Sequence, residues 1–407
     1  MVKVYVEAYG CSQNIAETFM LARSIGERVE NAEKADIILI GTCVVIEHTE
    51  HRMLRRIKKL QKYGKKIVVY GCLPSARREL LKDDIIPITT WEFENAHKIL
   101  GVDKSPLDEV FIWDSIATIP IANGCLGSCT YCITKVARGR IKSRREDWIV
   151  NMAKNVLKRG AVEIRISAQD TAAYGVDIES DLPTLIKKLV SLKGRYLLRV
   201  GMMEPRETLK ILNPLLEAYA SSKVYKFLHL PVQSGDNEIL KKMNRGYTVD
   251  DFEKIVFRFR ERFPEMTLST DIIVGFPGEN DETFENTMKL MEKIKPDILN
   301  ITRFSPRPKT LAYRWKRPST NKVKEWSQKI TELHLENMRR RMEKMVGKEF
   351  NVVVPSHGKR GNYLARTINY VPVVLKKAKT GKFYRVHITD FSGAHLNGEI
   401  LEEKEFL

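Results

Sequence analysis

Three cysteines in the middle of the chain have a spacing that suits an iron–sulfur cluster. Cys125, Cys129 and Cys132 form a C-x3-C-x2-C pattern on a short loop that contains glycine. Such a loop can offer three thiolates to three irons of a cubane 4Fe-4S cluster, which leaves the fourth iron open to chelate a substrate or cofactor. A zinc site normally takes four protein ligands, or three and a water, and three loop cysteines without a nearby His suit zinc poorly. The pattern therefore favours a cluster with one open iron.

The chain has six cysteines, and the other three are Cys11, Cys43 and Cys72. An even number would also allow three disulfides. We expect a cytoplasmic protein, however, because the sequence starts directly in a strand pattern and has no apolar stretch near the roughly 20 residues of a membrane span. Disulfides are rare in that reducing compartment, so metal binding is the better interpretation of the cysteines.

Each of these other cysteines follows a predicted strand. The predicted strands are three apolar, β-branched runs at residues 2–9, 35–41 and 66–71. Segments with helical spacing lie between them, at residues 18–29 and 48–63. Such alternation predicts an open parallel α/β sheet. The carboxyl ends of parallel strands meet at one edge, so Cys11, Cys43 and Cys72 could converge there. A buried structural cysteine is the alternative for each one, but it explains three in the same register poorly.

A second alternation of strands and helices predicts a partial (βα)6 barrel of the TIM type, with its working residues on loops after the strands. The strand candidates are residues 118–124, 162–167, 196–203, 226–232, 268–276 and 297–304. A helix is predicted after Pro318, with Trp326 on its apolar stripe. Beyond Gly347, short strands and turns predict a small antiparallel β-barrel. The predicted domains are 1–108, 109–345 and 346–407.

The formal net charge of +18 on 407 residues is concentrated in two places. Residues 307–348 carry 13 Lys or Arg against four Glu. A second basic run follows the loop cysteines, at Lys135, Arg138, Arg140, Lys142, Arg144 and Arg145. Solvated surface would explain either run alone. Two runs near one cysteine loop favour binding to a polyanion, most simply a nucleic acid.

The cysteine loop, placed after the first strand of a six-unit barrel, resembles the radical S-adenosyl-L-methionine (SAM) superfamily. Tyr131, just before the third cysteine, is typical of that superfamily. The resemblance implies that SAM chelates the open iron, and that one electron from the reduced cluster splits its sulfonium to give a 5′-deoxyadenosyl radical. The implied target is a C–H bond of an unactivated carbon.

Fragments across the whole chain resemble the radical SAM methylthiotransferase family. They are residues 9–14 (YGCSQN), 42–44 (TCV) and 71–72 (GC) in its amino-terminal domain, 228–235, 243–248 and 271–279 in its radical domain, and the terminal strands in its TRAM domain, an RNA-binding barrel. The family implies a second 4Fe-4S cluster on Cys11, Cys43 and Cys72, which would hold the sulfur that is methylated and transferred. SAM would serve as methyl donor and as radical source.

Branches of this family differ in substrate, which is isopentenyladenosine in tRNA, a ribosomal protein aspartate, or N6-threonylcarbamoyladenosine at tRNA position 37. Residues 122–126, 133–140 and 304–308 resemble the third branch in its archaeal and eukaryotic form. The implied partners are tRNA, through an anticodon-loop adenosine, an electron donor and a sulfur source, without a membrane. The alternatives are another substrate of the family, or a non-enzymatic iron–sulfur redox sensor that binds RNA.

The candidates for holding SAM and the target base are Tyr131, Gln169, Gln233, Arg245 and Asp271. A buried Asp or Gln at a strand end is as often a brace for its loop, whereas Arg245 could pair with the carboxylate of SAM. Two residues depart from the family's pattern. Gly41 stands where many members have Asn, and Lys309 stands where Gly usually precedes Thr310.

Overall fold

A computed structural model describes residues 2–102 and 109–406 of the protein. The first sheet consists of β1 (Lys3–Ala8), β2 (Glu27–Val29), β3 (Ile37–Thr42), β4 (Lys66–Gly71) and β5 (Ile85–Ile88). All five strands are parallel, in the order β2-β1-β3-β4-β5. The accompanying helices are α1 (Ser12–Ile25), α2 (Glu47–Leu60), α3 (Cys72–Ala76) and α4 (Ala96–Leu100). The predicted open parallel α/β sheet is confirmed.

The first helix and the sheet edges differ from the prediction. Helix α1 begins six residues earlier than expected, because its first turns carry polar residues, Gln13 and Asn14, that are nevertheless buried. The edge strands β2 and β5 were not predicted, since β2 has three residues and β5 contains Pro87, which weakens a strand signal. Gly41 is explained by close packing, because a Cβ there would lie 2.0 Å from Thr18 Oγ1 on α1.

The middle of the chain forms the predicted partial barrel. Its strands are β6 (Ile112–Trp113), β7 (Ile116–Pro120), β8 (Ala122–Asn123), β9 (Lys142–Ser143), β10 (Glu163–Ser167), β11 (Leu197–Val200), β12 (Phe227–His229), β13 (Thr267–Val274) and β14 (Ile298–Arg303). Its helices are α5 (Ile133–Arg138), α6 (Glu146–Lys158), α7 (Leu182–Val190), α8 (Pro205–Lys210), α9 (Leu212–Tyr219), α10 (Asn237–Lys242), α11 (Val249–Arg262), α12 (Asp281–Ile294) and α13 (Thr320–Glu343). Trp326 of α13 stacks on Phe284 in the core, as predicted.

Six parallel strands follow one another around this barrel. They are β7, β10, β11, β12, β13 and β14, and a bridge between Leu198 and Val224 joins β11 to the β12 side. Antiparallel β6 covers the free edge of β7, while β14 forms the other edge. The barrel is therefore open on the side between β6 and β14.

The last strands close into a small barrel. They are β15 (Glu349–His357), β16 (Tyr363–Thr367), β17 (Pro372–Leu375), β18 (Phe383–Ser392) and β19 (His395–Lys404), in the order β15-β16-β17-β19-β18. The predicted small β-barrel is confirmed. Its neighbouring strands are antiparallel as expected, except that β17 and β19 run parallel.

The small barrel docks against the amino-terminal ends of the large barrel's strands. Tyr370 packs on Tyr225 and Phe227, with ring centroids 4.8 Å apart in both pairs, and its hydroxyl lies 3.3 Å from Glu163 Oε1. The predicted boundary at 108/109 touches residues 103–108, which lie outside the described residues, so the domain limits stay a prediction. Within the described residues, no helix is long and apolar enough to cross a membrane.

Candidate functional site

Cys11, Cys43 and Cys72, which we call the strand set, lie at the carboxyl ends of β1, β3 and β4. Cys11 precedes α1 and Cys72 opens α3. Burial, together with the neighbouring Cys11 and Cys43, raises the pKa of Cys72 to about 12 against the opposing charge of Arg138. Gly10, with φ of 99°, leaves room at the thiols, because a Cβ there would lie 2.9 Å from Cys43 Cβ. The three side chains are thus gathered at one sheet edge.

A buried ion pair lies behind the strand set. Arg138, at the end of α5, is 1% exposed and its Nη2 donates to Glu17 Oε2 at 2.9 Å. The guanidinium also donates to Asn14 Oδ1 at 3.2 Å and to Asn123 Oδ1 at 2.8 Å. Arg138 belongs to the basic run that was expected at a polyanion surface. The structure corrects that expectation for this residue, because its charge is used inside the protein.

Cys125, Cys129 and Cys132, which we call the loop set, lie between β8 and α5. The turn is fixed by two backbone hydrogen bonds, from Cys125 N to Gly139 O at 3.2 Å and from Cys132 N to Cys129 O at 3.1 Å. Gly127 N donates to Cys125 Sγ at 3.3 Å, and a Cβ on Gly127 would lie 3.5 Å from that sulfur. Burial and the nearby Asp170 raise the pKa of Cys125 to about 12.

The donor chemistry of both sets fits an iron–sulfur cluster. All six cysteines are free thiols. Within residues 2–102 and 109–406, no three His, Cys, Asp or Glu side chains are gathered closely enough to hold one metal ion. The thiolates of a cubane bind separate irons and lie farther apart than the ligands of a single ion. Beside the strand set, Gly10 also leaves space that a side chain would fill.

Arg245 lies directly against the loop set. It is buried, and its Nη1 donates to Cys129 Sγ at 3.2 Å. The other guanidinium nitrogens donate to Tyr247 Oη at 2.9 Å and to Pro231 O at 3.1 Å. Glu204 Oε1 lies 3.8 Å from Nη2. The guanidinium is therefore held beside the Cys129 sulfur, and its predicted pairing with the SAM carboxylate stays a prediction.

Gln169 connects the two sets through hydrogen bonds. Its Oε1 accepts from Gly124 N at 2.7 Å, next to Cys125, and its Nε2 donates to Gln13 Oε1 at 2.8 Å. Gln13 Nε2 in turn donates to Glu17 Oε1 at 2.8 Å. Sequence reasoning missed Gln13 and Glu17, whose only signal was polarity at the start of a helix. The chain of contacts makes Gln169 a brace between loop and helix.

The other predicted pocket residues line one cavity of about 260 Å³. Tyr131, Gln233 and Asp271 line it together with Cys132 of the loop set. The first domain contributes residues 45 and 46, which follow Cys43 closely in sequence. The cavity therefore lies against the loop set, where the large barrel meets the segment that follows Cys43.

Hydrogen bonds fix the shape of this cavity. Asp271 Oδ1 accepts from Asn300 Nδ2 at 2.7 Å and lies 3.2 Å from His229 Nε2. Gln233 has a left-handed φ of 75°, and its N–H donates to Asp271 O at 2.8 Å. Tyr131 packs edge-on against Phe276 with centroids 6.0 Å apart. The aromatic wall and the fixed carboxylate give the cavity one apolar and one polar side.

The loop after β14 ties the large barrel to the first domain. Buried Arg307 pairs with buried Glu50 of α2, and Lys309 Nζ donates to Ala76 O of α3 at 2.7 Å. Lys309 has a φ of 68°, which explains why the family usually has Gly there. Both cations belong to the basic run 307–348, which was expected to bind a polyanion. The structure uses these two for contacts between domains instead.

Family comparisons match the three parts of the chain. The model of the Radical SAM superfamily matches residues 119–291, that of the uncharacterized protein family UPF0004 matches residues 3–90, and that of the TRAM domain matches residues 343–401. The fold is similar to that of the radical S-adenosylmethionine methyltransferase TsrM from Kitasatospora setae, with a TM-score of 0.56 and 14% identity over 76% of this chain and 77% of that one.

Full-length relatives carry one name. The probable threonylcarbamoyladenosine tRNA methylthiotransferase of Pyrococcus horikoshii is 40% identical over 98% of this chain and 100% of the relative. The corresponding protein of Methanocaldococcus jannaschii is 40% identical over 98% and 97%. The threonylcarbamoyladenosine tRNA methylthiotransferase of Mus musculus is 34% identical over 98% of this chain and 74% of its own length. The chain belongs to the threonylcarbamoyladenosine tRNA methylthiotransferase family of radical SAM enzymes.

Proposed function

We propose that this chain converts N6-threonylcarbamoyladenosine at position 37 of tRNA into its 2-methylthio derivative. The observation that carries the proposal is the cavity that touches Cys132 of the loop set and residues 45 and 46 just after Cys43, in a chain whose full-length relatives are named for this substrate and this transfer. A family that inserts sulfur at carbon needs the two functions within contact distance, because proximity of the reacting groups supplies much of the rate.

The six cysteines divide into two groups of ligands. Cys125, Cys129 and Cys132 would hold the 4Fe-4S cluster of a radical SAM enzyme, and Cys11, Cys43 and Cys72 would hold a second 4Fe-4S cluster. When bound, the clusters and SAM supply the radical that opens a C–H bond and the sulfur that replaces the hydrogen. Hydrogen bonds from Arg245 and Gly127 stabilise the loop thiolates. Arg138 does the same for the strand set by its charge.

The cavity positions the target base. Asp271 and Gln233 offer polar contacts on one side, and Tyr131 closes the loop-set side. We assign these residues to SAM and the adenosine. A buried Arg307–Glu50 pair holds the two walls together. A bound adenosine would fill this half-open space and displace water, which would otherwise quench a reactive intermediate.

The partners follow from this chemistry. The tRNA would present its anticodon-loop adenosine at the open side of the barrel, and its phosphates would be bound by the cations of the terminal barrel. The candidate cations in that barrel are Lys359, Arg360, Arg366, Lys376, Lys377 and Arg385. An electron donor and a sulfur source complete the set of partners.

Mass spectrometry of tRNA nucleosides tests the proposed function. Anaerobically reconstituted protein, with SAM and a reductant, should convert threonylcarbamoyladenosine in tRNA to the methylthio nucleoside and release 5′-deoxyadenosine. Iron analysis should give about eight irons per chain, for two cubanes of four. Methylthio-threonylcarbamoyladenosine that persists unchanged in cells lacking the enzyme would contradict the substrate assignment.

A further inference from the structure

An exposed aromatic group lies at the open edge of the large barrel. Trp113 of β6 is 61% exposed and meets Phe111 edge-on, with centroids 6.4 Å apart. Phe111 stacks on Phe19 of α1 at 4.2 Å with an interplanar angle of 12°. Arg28 lies over both Phe rings, at 5.4 and 5.3 Å. We call Phe19, Arg28, Phe111 and Trp113 the edge platform.

The edge platform lies beside the strand set. Its three aromatic rings line a cavity of about 460 Å³, together with Tyr9 and Ser12. Those two residues flank Cys11 closely in the sequence. Thr118 and Arg165, which lie side by side on β7 and β10, complete the wall toward the large barrel. This cavity is distinct from the one that Tyr131, Gln233 and Asp271 line, with which it shares no lining residue.

All three domains meet at this platform. Phe19 comes from the first domain and Trp113 from the hairpin at the edge of the large barrel. Asp114, the next residue, accepts from His357 N of β15 at 2.9 Å and pairs with its Nδ1 at 3.0 Å. An RNA that contacts the terminal barrel and reaches the cysteine sets at the open side therefore passes Trp113.

The composition of the platform indicates what it binds. Exposed aromatic rings next to Arg are the surface on which proteins stack unpaired RNA bases, and such stacking tolerates any base. A Trp with most of its surface in water contributes little to packing the protein itself. We propose that the edge platform binds an unpaired base of the anticodon loop, adjacent to the target adenosine, by stacking on Trp113. This inference rests on the proposed tRNA substrate and adds a second contact to it.

Binding of a fluorescein-labelled anticodon stem-loop, carrying threonylcarbamoyladenosine, tests the inference by fluorescence anisotropy with the reconstituted full chain. Trp113→Ala should raise the dissociation constant about tenfold, the scale of one lost base stack. Trp113→Phe keeps an aromatic ring and should retain most of the affinity. Phe257→Ala removes another exposed aromatic, 42% exposed on α11, and should leave the affinity unchanged.

Stem-loops with an abasic site at either neighbour of the target identify the stacked base. On one of the two RNAs, wild type should bind more weakly and Trp113→Ala should cost nothing further, because the lost contact is the same. An unchanged dissociation constant for Trp113→Ala on intact RNA overturns the inference. So does a Trp113→Ala variant that loses as much affinity relative to wild type on both abasic RNAs as it does on intact RNA. If wild type forms the methylthio product while either result occurs, only the inference fails. If wild type neither binds the stem-loop nor modifies it, the proposed function fails as well.

Discussion

The loop set and the strand set each offer three thiols but are assembled differently. The loop set occupies eight consecutive residues, 125–132, and local hydrogen bonds shape it. The strand set draws its cysteines from three strand ends, so its geometry depends on the register of a whole sheet. The buried charges differ too. Burial raises the pKa of both Cys125 and Cys72, but Asp170 adds to the rise at Cys125, whereas Arg138 opposes it at Cys72. One set is thus local, and the other depends on a residue from the neighbouring domain.

Removing one cysteine from each set should have the largest effect. Cys129→Ala should abolish SAM cleavage, because the open iron is lost with its cluster. Cys43→Ala should spare part of the cleavage and lose the methylthio product. Chromatography of 5′-deoxyadenosine from anaerobic reactions measures SAM cleavage, and mass spectrometry of the nucleosides measures the methylthio product. Equal loss of both products in both variants would contradict this division of labour.

Removing Arg138 should damage the strand set more than the loop set. Arg138→Met leaves Glu17 buried without its partner, which costs about 3–5 kcal/mol of unfolding free energy. Iron should fall from about eight toward about four per chain, while some SAM cleavage persists. The double variant Arg138→Met/Glu17→Gln, which removes both charges, should recover much of the unfolding free energy in urea but not the lost iron. Equal iron loss from both sets would contradict the prediction that Arg138 supports the strand set more than the loop set.

Asp170, which lies near Cys125 of the loop set, should make the unfolding free energy depend on pH. Burial raises the pKa of Asp170 from 3.8 to about 7. The folded state therefore binds this proton more tightly than the unfolded state, and the unfolding free energy falls as pH rises from about 4 to about 7. Asp170→Asn should flatten that decline in urea unfolding of the apoprotein. Identical pH profiles for the two proteins would show that Asp170 is not responsible.

The smallest effect is expected at Lys309, which ties the two sets' domains together. Lys309→Gly loses the hydrogen bond to Ala76 O but relieves the left-handed backbone of a non-glycine residue. The two changes oppose each other, so unfolding free energy should change by less than about 1 kcal/mol. Lys309→Ala keeps the strain and loses the contact, and should be the less stable of the two variants. The reverse order would show that the backbone is not strained.

The same contrast explains what the sequence could predict. The loop set could be predicted because its cysteines lie close together in the sequence. The strand set could be predicted because the alternation of strands and helices fixes where each cysteine falls. The burial of Arg138 could not be predicted, because its partner Glu17 lies 121 residues away in the sequence. A run of basic residues is also typical of solvated surface. The lining of the cavity could not be predicted either, because residues 45 and 46 come near Asp271 only through the packing of two domains.

The gap between β6 and β14 has a consequence for how a polymer is handled. A closed barrel would admit only a chain end or a single extruded nucleotide. The gap lies between the first and last edges of the sheet, so we expect an interior loop of a folded RNA to enter from the side and to leave the same way. Neither end of the RNA would then be threaded, and the stem above the loop would stay paired through each round of modification.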